Sequence, residues 1–166
     1  MKVKIREYQE SDRTAFVKLM EQLMDYIVSI DDLKRTRRIP EFGESYTQRT
    51  LQKVAENNGT IYVAELDSEL VGVVVGTMPE QSKEDQLEHV PSKFGEVLEL
   101  VVKAGYRGRG VGTMLMNKLE EYFKENNCNI SGVGVLVPNK NAYRLYSKLG
   151  YKDRSIYMTK DLQEKK

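Results

Sequence analysis

The amino-acid sequence predicts an α/β protein whose sheet contains strands of mixed direction. Three observations predict this class: short apolar runs typical of strands, longer segments with apolar residues at helical spacing, and the order of the two along the chain. The predicted order is β-α-α-β-β-β-α-β-α-β. Some strands are joined by polar turns and others by helices, so antiparallel and parallel pairs are both expected. Residues 1–166 are the usual size of one domain and are predicted to form one.

The first elements are a strand at residues 3–5 and two helices. Ser11 and Asp12 can cap the first helix, and five apolar residues then follow at helical spacing. These residues are Phe16, Leu19, Met20, Leu23 and Ile27. The second helix is predicted over residues 45–56. Asn57-Asn58-Gly59 ends it with residues that tolerate the left-handed conformation.

The middle of the chain is predicted to form three strands and a long loop. Strands at residues 60–66 and 70–78 flank Asp67-Ser68-Glu69, a polar connection that predicts a hairpin. Residues 79–91 are polar and lack apolar periodicity, which predicts a surface loop of a length that often shapes a binding site. The third strand is predicted over residues 96–102.

The last third of the chain is predicted to alternate helices and strands. A glycine-rich loop over residues 105–112 leads into an amphipathic helix that ends near Asn126-Asn127. The predictions that follow are a strand over residues 130–137, a short helix over residues 139–149 and a final strand over residues 151–159. Pro138 and Gly150 separate these three elements.

Composition narrows the class of protein. Twenty-six basic residues nearly balance 25 acidic ones, so no global field directs the protein to nucleic acid or membrane. The single Cys128 cannot form an intramolecular disulfide, and no Cys/His cluster has metal-ligand spacing, so no metal is expected. The start of the chain alternates charged and apolar residues, unlike a signal peptide, and no apolar run approaches the length of a membrane span. We therefore expect a cytoplasmic protein.

The glycine-rich loop is the strongest chemical signal. Tyr106-Arg107-Gly108-Arg109-Gly110-Val111-Gly112 follows a strand and opens a helix, where free backbone amides and the helix dipole favour an anion such as a diphosphate. A nucleoside-triphosphate loop would need a Lys-Ser or Lys-Thr pair, which is absent. The dinucleotide fingerprint would place its third glycine at Thr113, and the strand over residues 130–137 lacks its acidic residue. A tight turn without a ligand stays open as the alternative.

Two motifs resemble one known family. Arg107, Gly110 and Gly112 form R-x-x-G-x-G after an apolar strand. Asn139-x-x-Ala142-x-x-x-Tyr146-x-x-x-Gly150-Tyr151 is similar to a second motif that follows it at the usual separation. Both are typical of the GNAT superfamily of acetyl-CoA-dependent N-acetyltransferases. The resemblance covers nearly the whole chain in element order and is strongest over residues 96–151. It implies a mixed, mostly antiparallel sheet with a splayed central strand pair and helices on both faces.

The resemblance implies acetyl-CoA as the co-substrate and a set of residues that bind it. Its pantetheine arm would pair with the backbone of the strand before the loop, at Leu100, Val101 and Val102. Asn139 would approach the thiol end of the coenzyme, or it would only cap its helix. The pyrophosphate would be held by Arg107, Gly108, Arg109, Gly110, Val111, Gly112 and Thr113.

The resemblance also implies two catalytic candidates. Tyr146 matches the family's frequent general acid, which protonates the departing thiolate. Ala142, Leu145, Tyr146 and Leu149 also form an apolar stripe, so a buried structural role stays open. Some members carry a Glu base where this chain has Gly134. Glu99 is the substitute candidate, against a solvated charge on a sheet face or a water chain as the alternatives.

The implied function is transfer of acetyl to a primary amine of a small molecule, by direct attack in a ternary complex. A protein or peptide acetyltransferase is the first alternative, and a non-catalytic module that binds acyl-CoA is the second. Residues 31–46 and 79–94 would line the acceptor entrance, where acidic residues would favour a cationic amine. Some members of the family dimerise through late strands, and a homodimer stays open for this chain.

Overall fold

The structure is a computed structural model that describes residues 2–162. Within this range, five strands form one sheet in the order β1-β2-β3-β4-β5, so each strand lies beside its neighbours in sequence. Their bounds are β1 (Lys4–Glu7), β2 (Thr60–Leu66), β3 (Glu69–Thr77), β4 (Phe94–Val102) and β5 (Ile130–Val133). The first four strands pair in antiparallel fashion, whereas β5 runs parallel to β4. The prediction of a mixed, mostly antiparallel sheet is confirmed.

Helices cover both faces of the sheet, as predicted. They are α1 (Arg13–Ile30), α2 (Phe42–Glu56), α3 (Asp85–Glu88), α4 (Val111–Glu125) and α5 (Lys140–Lys148). Apolar side chains of α1, with partly buried ones of α2, form one cluster on the sheet, and those of α4 form the other together with residues of α5. The short helix α3 lies within the segment that was predicted to be only a loop. Phe42 begins α2 three residues before the predicted start.

The strand β3 lies between these two clusters. Val74 belongs to the α4 cluster, whereas Val73 and Val75 belong to the α1 cluster, and all three are fully buried. A strand buried on both faces has a continuous apolar sequence, which is why residues 70–78 show no polar alternation.

Two glycines let α4 pack closely against the sheet. A Cβ atom added at Gly76 would lie 2.5 Å from Leu119 Cδ1, and one added at Gly95 would lie 2.6 Å from the Phe123 ring. Leu119 and Phe123 are themselves buried, so neither can move aside into solvent. The missing side chains on β3 and β4 therefore set the height of α4 above the sheet.

The pair β4–β5 separates partway along its length. Their register runs from Phe94–Ile130 to Val97–Val133, where β5 ends. Beyond this point β4 continues to Val102 and stays paired with β3 on its other edge. The predicted splay is therefore present between β4 and β5, but this pair lies at one end of the described sheet and not at its centre. Among the described residues, one edge of β4 has no strand partner beyond Val97.

Two strand predictions are wrong in this structure. The strand predicted over residues 130–137 ends at Val133, and residues 151–159, predicted as the final strand, adopt no regular secondary structure. The apolar residues of both segments need a neighbouring strand to bury them. Among the described residues no such strand is formed, and Val137, Ile156 and Met158 are 68%, 78% and 86% exposed. The observed element order is β-α-α-β-β-α-β-α-β-α.

The single domain predicted over residues 1–166 stays a prediction, because residues 1 and 163–166 lie outside the described range. Of the helices described within residues 2–162, none has the length and apolar character needed to cross a bilayer.

Candidate active site

A cleft of about 270 Å³ opens where β4 and β5 separate. The two strands form its walls, and α1, α2, α5 and the connection between β5 and α5 contribute the remaining lining. Its chemically active residues come from three elements and from this connection. They include Tyr46, Glu99, Asn139 and Tyr146. The cleft therefore brings together the two catalytic candidates, Glu99 and Tyr146. It also contains two residues of the predicted coenzyme site, Leu100 and Asn139.

The predicted pantetheine strand lies along one wall of this cleft. Leu100, Val101 and Val102 pair with β3 through Val74, Val73 and Gly72, and they lie beyond the last β4–β5 pair. Val101 is buried in the α1 cluster, so its side chain has a packing role. The carbonyl oxygen of Val102 accepts a hydrogen bond of 2.8 Å from Arg107 Nε.

The glycine-rich loop has the backbone shape that glycine permits. Gly108 and Gly110 have φ values of +74° and +83°, in the left-handed region that side chains disfavour. Gly110 precedes the first residue of α4, and no side chain of the described residues caps this helix start. The first helical hydrogen bond runs from Met114 N to Gly110 O, at 3.0 Å. The amides of residues 111–113 precede it and are positioned to bind an anion.

Gly112 has a different role from the other two glycines. An added Cβ atom would lie 3.2 Å from Leu145 Cδ2, so this glycine allows α5 to pack near the start of α4. The motif therefore combines two conformational glycines with one packing glycine.

Aromatic rings hold the two arginines of the loop. The Arg107 guanidinium carbon lies 5.2 Å from the centre of the Tyr26 ring, and that of Arg109 lies 5.8 Å from the centre of the Tyr106 ring. Both distances are typical of cation–π contacts. The loop thus carries two fixed positive charges beside its free amides, which fits a pyrophosphate group.

Asn139 has the capping role that was considered for it, and its approach to the coenzyme stays a prediction. Its Oδ1 accepts a hydrogen bond of 3.2 Å from the Ala142 amide and therefore caps α5. The same oxygen accepts a second hydrogen bond of 3.2 Å from the Tyr26 hydroxyl, and Asn139 lines the cleft. Tyr26 thus connects the loop arginine Arg107 with the start of α5.

Tyr146 is a buried residue that also lines the cleft. Only 8% of its surface is exposed, and its ring centre lies 6.0 Å from that of Tyr151. Burial raises the pKa of Tyr146 to about 12, with further contributions in the same direction from Tyr151 and Glu99. The predicted apolar stripe on α5 is present, since Ala142, Leu145 and Leu149 pack against the α4 cluster.

Glu99 lines the cleft instead of extending from the sheet into bulk solvent. The register of β3 and β4 shifts between Val75, which pairs with Glu99, and Gly76, which pairs with Val97. This bulge gives β4 one extra residue and redirects the side chains that follow it. Burial raises the pKa of Glu99 to about 7, and the Tyr46 hydroxyl donates a hydrogen bond to its Oε1.

The two predicted entrance segments, residues 31–46 and 79–94, differ in what they contribute to the lining of the cleft. Tyr46 lines the cleft, whereas no described residue of segment 79–94 does. The basic run in the first segment is partly neutralised, because Arg38 pairs with Asp25 at 2.6 Å and lies 3.8 Å from Glu21. Gly134, at the position where some relatives carry a base, faces open space, with no atom within 4 Å of an added Cβ.

Sequence reasoning missed Tyr26 as a site residue, and it included Tyr46 only as the end of the predicted entrance segment 31–46. Both lie within amphipathic helices, where an aromatic residue usually indicates packing. Their distance in sequence from the two motifs gave no signal for the hydrogen bonds that they make with Asn139 and Glu99. No cluster of His, Cys, Asp or Glu suited to a metal ion occurs in the described part of the chain.

The sequence model of the Acetyltransferase (GNAT) family matches residues 18–151. The chain belongs to this family. The prediction from the two motifs is therefore confirmed at the family level, and the match includes the cleft, the glycine-rich loop and α5.

Three relatives are informative. An uncharacterized N-acetyltransferase, MJ1530, of Methanocaldococcus jannaschii is 38% identical over 96 residues, which are 57% of this chain and 54% of that protein. An N-alpha-acetyltransferase of Sulfurisphaera tokodaii is 29% identical over 136 residues, 80% of this chain and 77% of the relative. An aminoalkylphosphonate N-acetyltransferase of Salmonella typhimurium is 30% identical over 74 residues, 45% and 48% of the two chains. The chain thus spans about half the length of the first relative.

A solved structure extends the likeness to the fold. Glucosamine-6-phosphate N-acetyltransferase from Arabidopsis thaliana superposes with a TM-score of 0.68 at 22% identity, covering 98% of this chain and all of that chain. At this identity the comparison shows the fold alone. The family match and these relatives, which are all N-acetyltransferases, thus agree on the family of this chain.

Proposed function

We propose that this protein transfers the acetyl group of acetyl-CoA to the primary amine of a small molecule, by direct attack in a ternary complex. One observation carries the proposal: a single cleft joins the open edge of β4 to two titratable side chains, and β4 leads directly into the glycine-rich loop. Each part meets a separate requirement of acetyl transfer. The loop and the edge of β4 would bind the coenzyme. Glu99 and Tyr146 would take part in acetyl transfer.

The cofactor-binding part follows from the geometry of the loop and of β4. The amides of residues 111–113 and the side chains of Arg107 and Arg109 would hold the pyrophosphate. The backbone of residues 100–102 would pair with the amides of the pantetheine arm, in the manner of an added strand. Arg107 would have to release the Val102 carbonyl where the arm uses that group.

The proposed chemistry needs one base and one hydrogen-bond donor. An ammonium acceptor with a pKa of about 10 must lose a proton before it attacks. Glu99, whose pKa burial raises to about 7, would accept this proton directly or through a water molecule. The amine nitrogen then bonds to the thioester carbonyl carbon, and the carbon–sulfur bond breaks with its electron pair on sulfur.

Tyr146 would act at the departing sulfur. Burial raises the pKa of this phenol to about 12, whereas a thiol has a pKa of about 8.5. Complete proton transfer from tyrosine to thiolate is therefore unfavourable by about 5 kcal/mol. We propose that Tyr146 mainly donates a hydrogen bond to the negative charge that develops on sulfur, and that solvent supplies the proton.

The size and chemistry of the cleft favour a small cationic acceptor. A volume of about 270 Å³ is at the low end for ligand pockets. The apolar side chains of Leu23 and Ile27 from α1 narrow it, and Glu99 provides the carboxylate that attracts an amine. The Salmonella relative, an aminoalkylphosphonate N-acetyltransferase, is consistent with a small amine as the acceptor.

Acetylation of a protein N-terminus is the second candidate. It is favoured by the Sulfurisphaera relative, which is an N-alpha-acetyltransferase aligned over 80% of this chain. A non-catalytic acyl-CoA-binding module receives less support, because Tyr146 and Glu99 both line the cleft.

The test is a survey of acceptors with acetyl-CoA, in which free thiol release reports transfer. Primary amines of small molecules, including polyamines and aminoalkylphosphonates, are compared with peptides that carry a free N-terminus. We expect saturable thiol release with at least one small amine and confirmation of the N-acetylated product by mass spectrometry. Calorimetry that detects no binding of acetyl-CoA to folded protein would contradict the proposal. Exclusive acetylation of peptides would favour the second candidate.

A further inference from the structure

We infer that Tyr46, on α2, is a positioning residue that holds Glu99 as a carboxylate in the orientation needed to accept a proton. This inference rests on the proposed function, in which Glu99 is the base. It adds a residue outside both sequence motifs and assigns to α2 a specific task in the reaction.

The position of Tyr46 is fixed by ring contacts with two neighbours on α2. Phe42, one helical turn earlier, stacks on the ring with centres 4.8 Å apart and planes inclined by 24°. The Arg49 guanidinium carbon lies 5.0 Å from the centre of the same ring. The ring is therefore held in place independently of Glu99, and its hydroxyl reaches the Oε1 atom of Glu99.

The surroundings of Glu99 explain why one hydrogen bond matters. Tyr46 from α2 and Tyr146 from α5 are the titratable side chains that line the cleft with it. The lining from α1 is apolar, with Leu23 and Ile27, and so is that from β5, with Val133. No described basic side chain lines this cleft, so the Tyr46 hydroxyl is the dipole that favours the charged form of Glu99.

Burial and the Tyr46 hydrogen bond act in opposite directions on the pKa of Glu99. Burial disfavours the carboxylate and raises the pKa of Glu99. The hydrogen bond from Tyr46 stabilises the carboxylate and lowers that pKa. Removing the hydroxyl should raise the pKa by about one to two pH units, the usual strength of a hydrogen bond to a charged group. Since the base must be ionised, activity near pH 7 should fall by about fivefold or more.

The decisive variant is Tyr46→Phe, which keeps the ring and its stacking and removes only the hydroxyl. The Glu99 carboxyl is followed by carbon-13 NMR titration of protein labelled at the glutamate side-chain carboxyls, and the Glu99→Gln spectrum assigns its signal. The pH profile of kcat/KM for thiol release is measured in parallel. Tyr8→Phe is the matched control, because Tyr8 also donates to a glutamate, Glu10, at 3.4 Å on the surface.

We expect Tyr46→Phe to raise the Glu99 pKa, to move the acid limb of the profile upward by the same amount and to leave KM for acetyl-CoA unchanged. Tyr8→Phe should change none of these. An unchanged Glu99 pKa in folded Tyr46→Phe protein would overturn the inference. The NMR titration needs no activity, so it decides the role of Tyr46 even where the survey of acceptors finds no transfer.

A second measurement covers the case in which Tyr46→Phe does not fold. Tyrosines labelled at the ring carbon that bears oxygen report the ionisation of Glu99 through the Tyr46 signal. That signal should shift with pH in the wild type, with a midpoint near the Glu99 pKa, and lose this shift in Glu99→Gln. A Tyr46 signal that ignores the ionisation of Glu99 would overturn the inference as well.

Discussion

At the scale of single residues, the loop before α4 shows how backbone conformation and ligand chemistry depend on the same positions. Gly110 has a left-handed conformation and lacks a side chain that could cap the helix. A capping Ser or Asp would satisfy one of the free amides itself and would compete with a phosphate for it. Glycine at this position leaves the amides to the ligand.

The first prediction tests whether Gly110 is needed for its backbone conformation or because a side chain would have no room. Gly110→Ala should lower the free energy of unfolding by about 1 kcal/mol, because an L-residue disfavours a φ of +83° although no atom blocks the new Cβ. Gly105→Ala is the control, since its Cβ also meets no atom within 4 Å and its φ is not positive. It should change stability by less than about 0.5 kcal/mol. Urea unfolding measures the stability of both variants. If the two substitutions lowered the free energy of unfolding equally, the conformational explanation would be wrong.

The second prediction concerns Tyr146. Tyr146→Phe should lower kcat by about 10- to 100-fold, because the developing thiolate loses its hydrogen bond, while Kd for acetyl-CoA changes less than about twofold. Tyr143→Phe on the same helix is the control. Its side chain is exposed and donates to Asp153 at 3.1 Å. Steady-state kinetics and calorimetry measure the two quantities. Unaltered turnover in Tyr146→Phe would leave the residue with a packing role only.

The sequence predicted the residues of the site that lie in local motifs and missed those that depend on tertiary contacts. Arg107, Gly110 and Asn139 belong to turns and caps whose form is encoded within a few residues. Tyr26 and Tyr46 come from helices far away in sequence, so their contacts with the site residues depend on how α1 and α2 pack. The partners of Glu99 could not be inferred for the same reason.

At the scale of elements, the β4 bulge determines which face Glu99 occupies. A regular strand places residues 97, 99 and 101 on one face of the sheet. Here Val97 packs in the α4 cluster, whereas Val101 packs in the α1 cluster, because one extra residue intervenes. Alternation in the sequence predicted the strand but carried no signal for the bulge. The bulge is what brings Glu99 to the side of α2.

The third prediction belongs to the contact between α4 and the sheet. Gly95→Ala should destabilise the protein by about 1–3 kcal/mol, because the new Cβ would lie 2.6 Å from the buried Phe123 ring. Gly134→Ala, one residue beyond β5, meets open space and should be close to neutral. Thermal unfolding of the two variants tests this difference. A neutral Gly95→Ala would show that α4 can rise from the sheet at little cost.

At the scale of the whole molecule, the segment after α5 is the main departure from the predicted fold. Tyr151 is anchored, since its hydroxyl lies 3.1 Å from Ser131 Oγ of β5, but the apolar residues beyond it are exposed. Composition and periodicity predicted a strand there because they report what a segment can bury. They do not report whether the chain offers a strand to pair with.

The fourth prediction tests this segment and the open question of a homodimer. Replacing both Ile156 and Met158 with Ser should change stability by less than about 1 kcal/mol, because both side chains are exposed in the chain. Leu119→Ala, at a fully buried position, should cost about 2–5 kcal/mol. Thermal unfolding at several protein concentrations measures both. A large loss of thermal stability in the double variant that depends on protein concentration would show that these two side chains are not exposed in solution. It would indicate that a second copy of the chain covers the segment.

The free side of β4 beyond Val97 has a consequence for solubility. Bare strand edges commonly recruit strands from other molecules and so promote aggregation. Here the bare edge lies inside a narrow cleft, and the Tyr26–Asn139 hydrogen bond joins α1 to the start of α5. A strand from another molecule carries side chains on both of its faces. It would therefore need far more room than the proposed ligand of this edge, the unbranched pantetheine arm. The described chain can thus leave part of a strand edge without a strand partner, because the cleft gives a second polypeptide little room to pair with it.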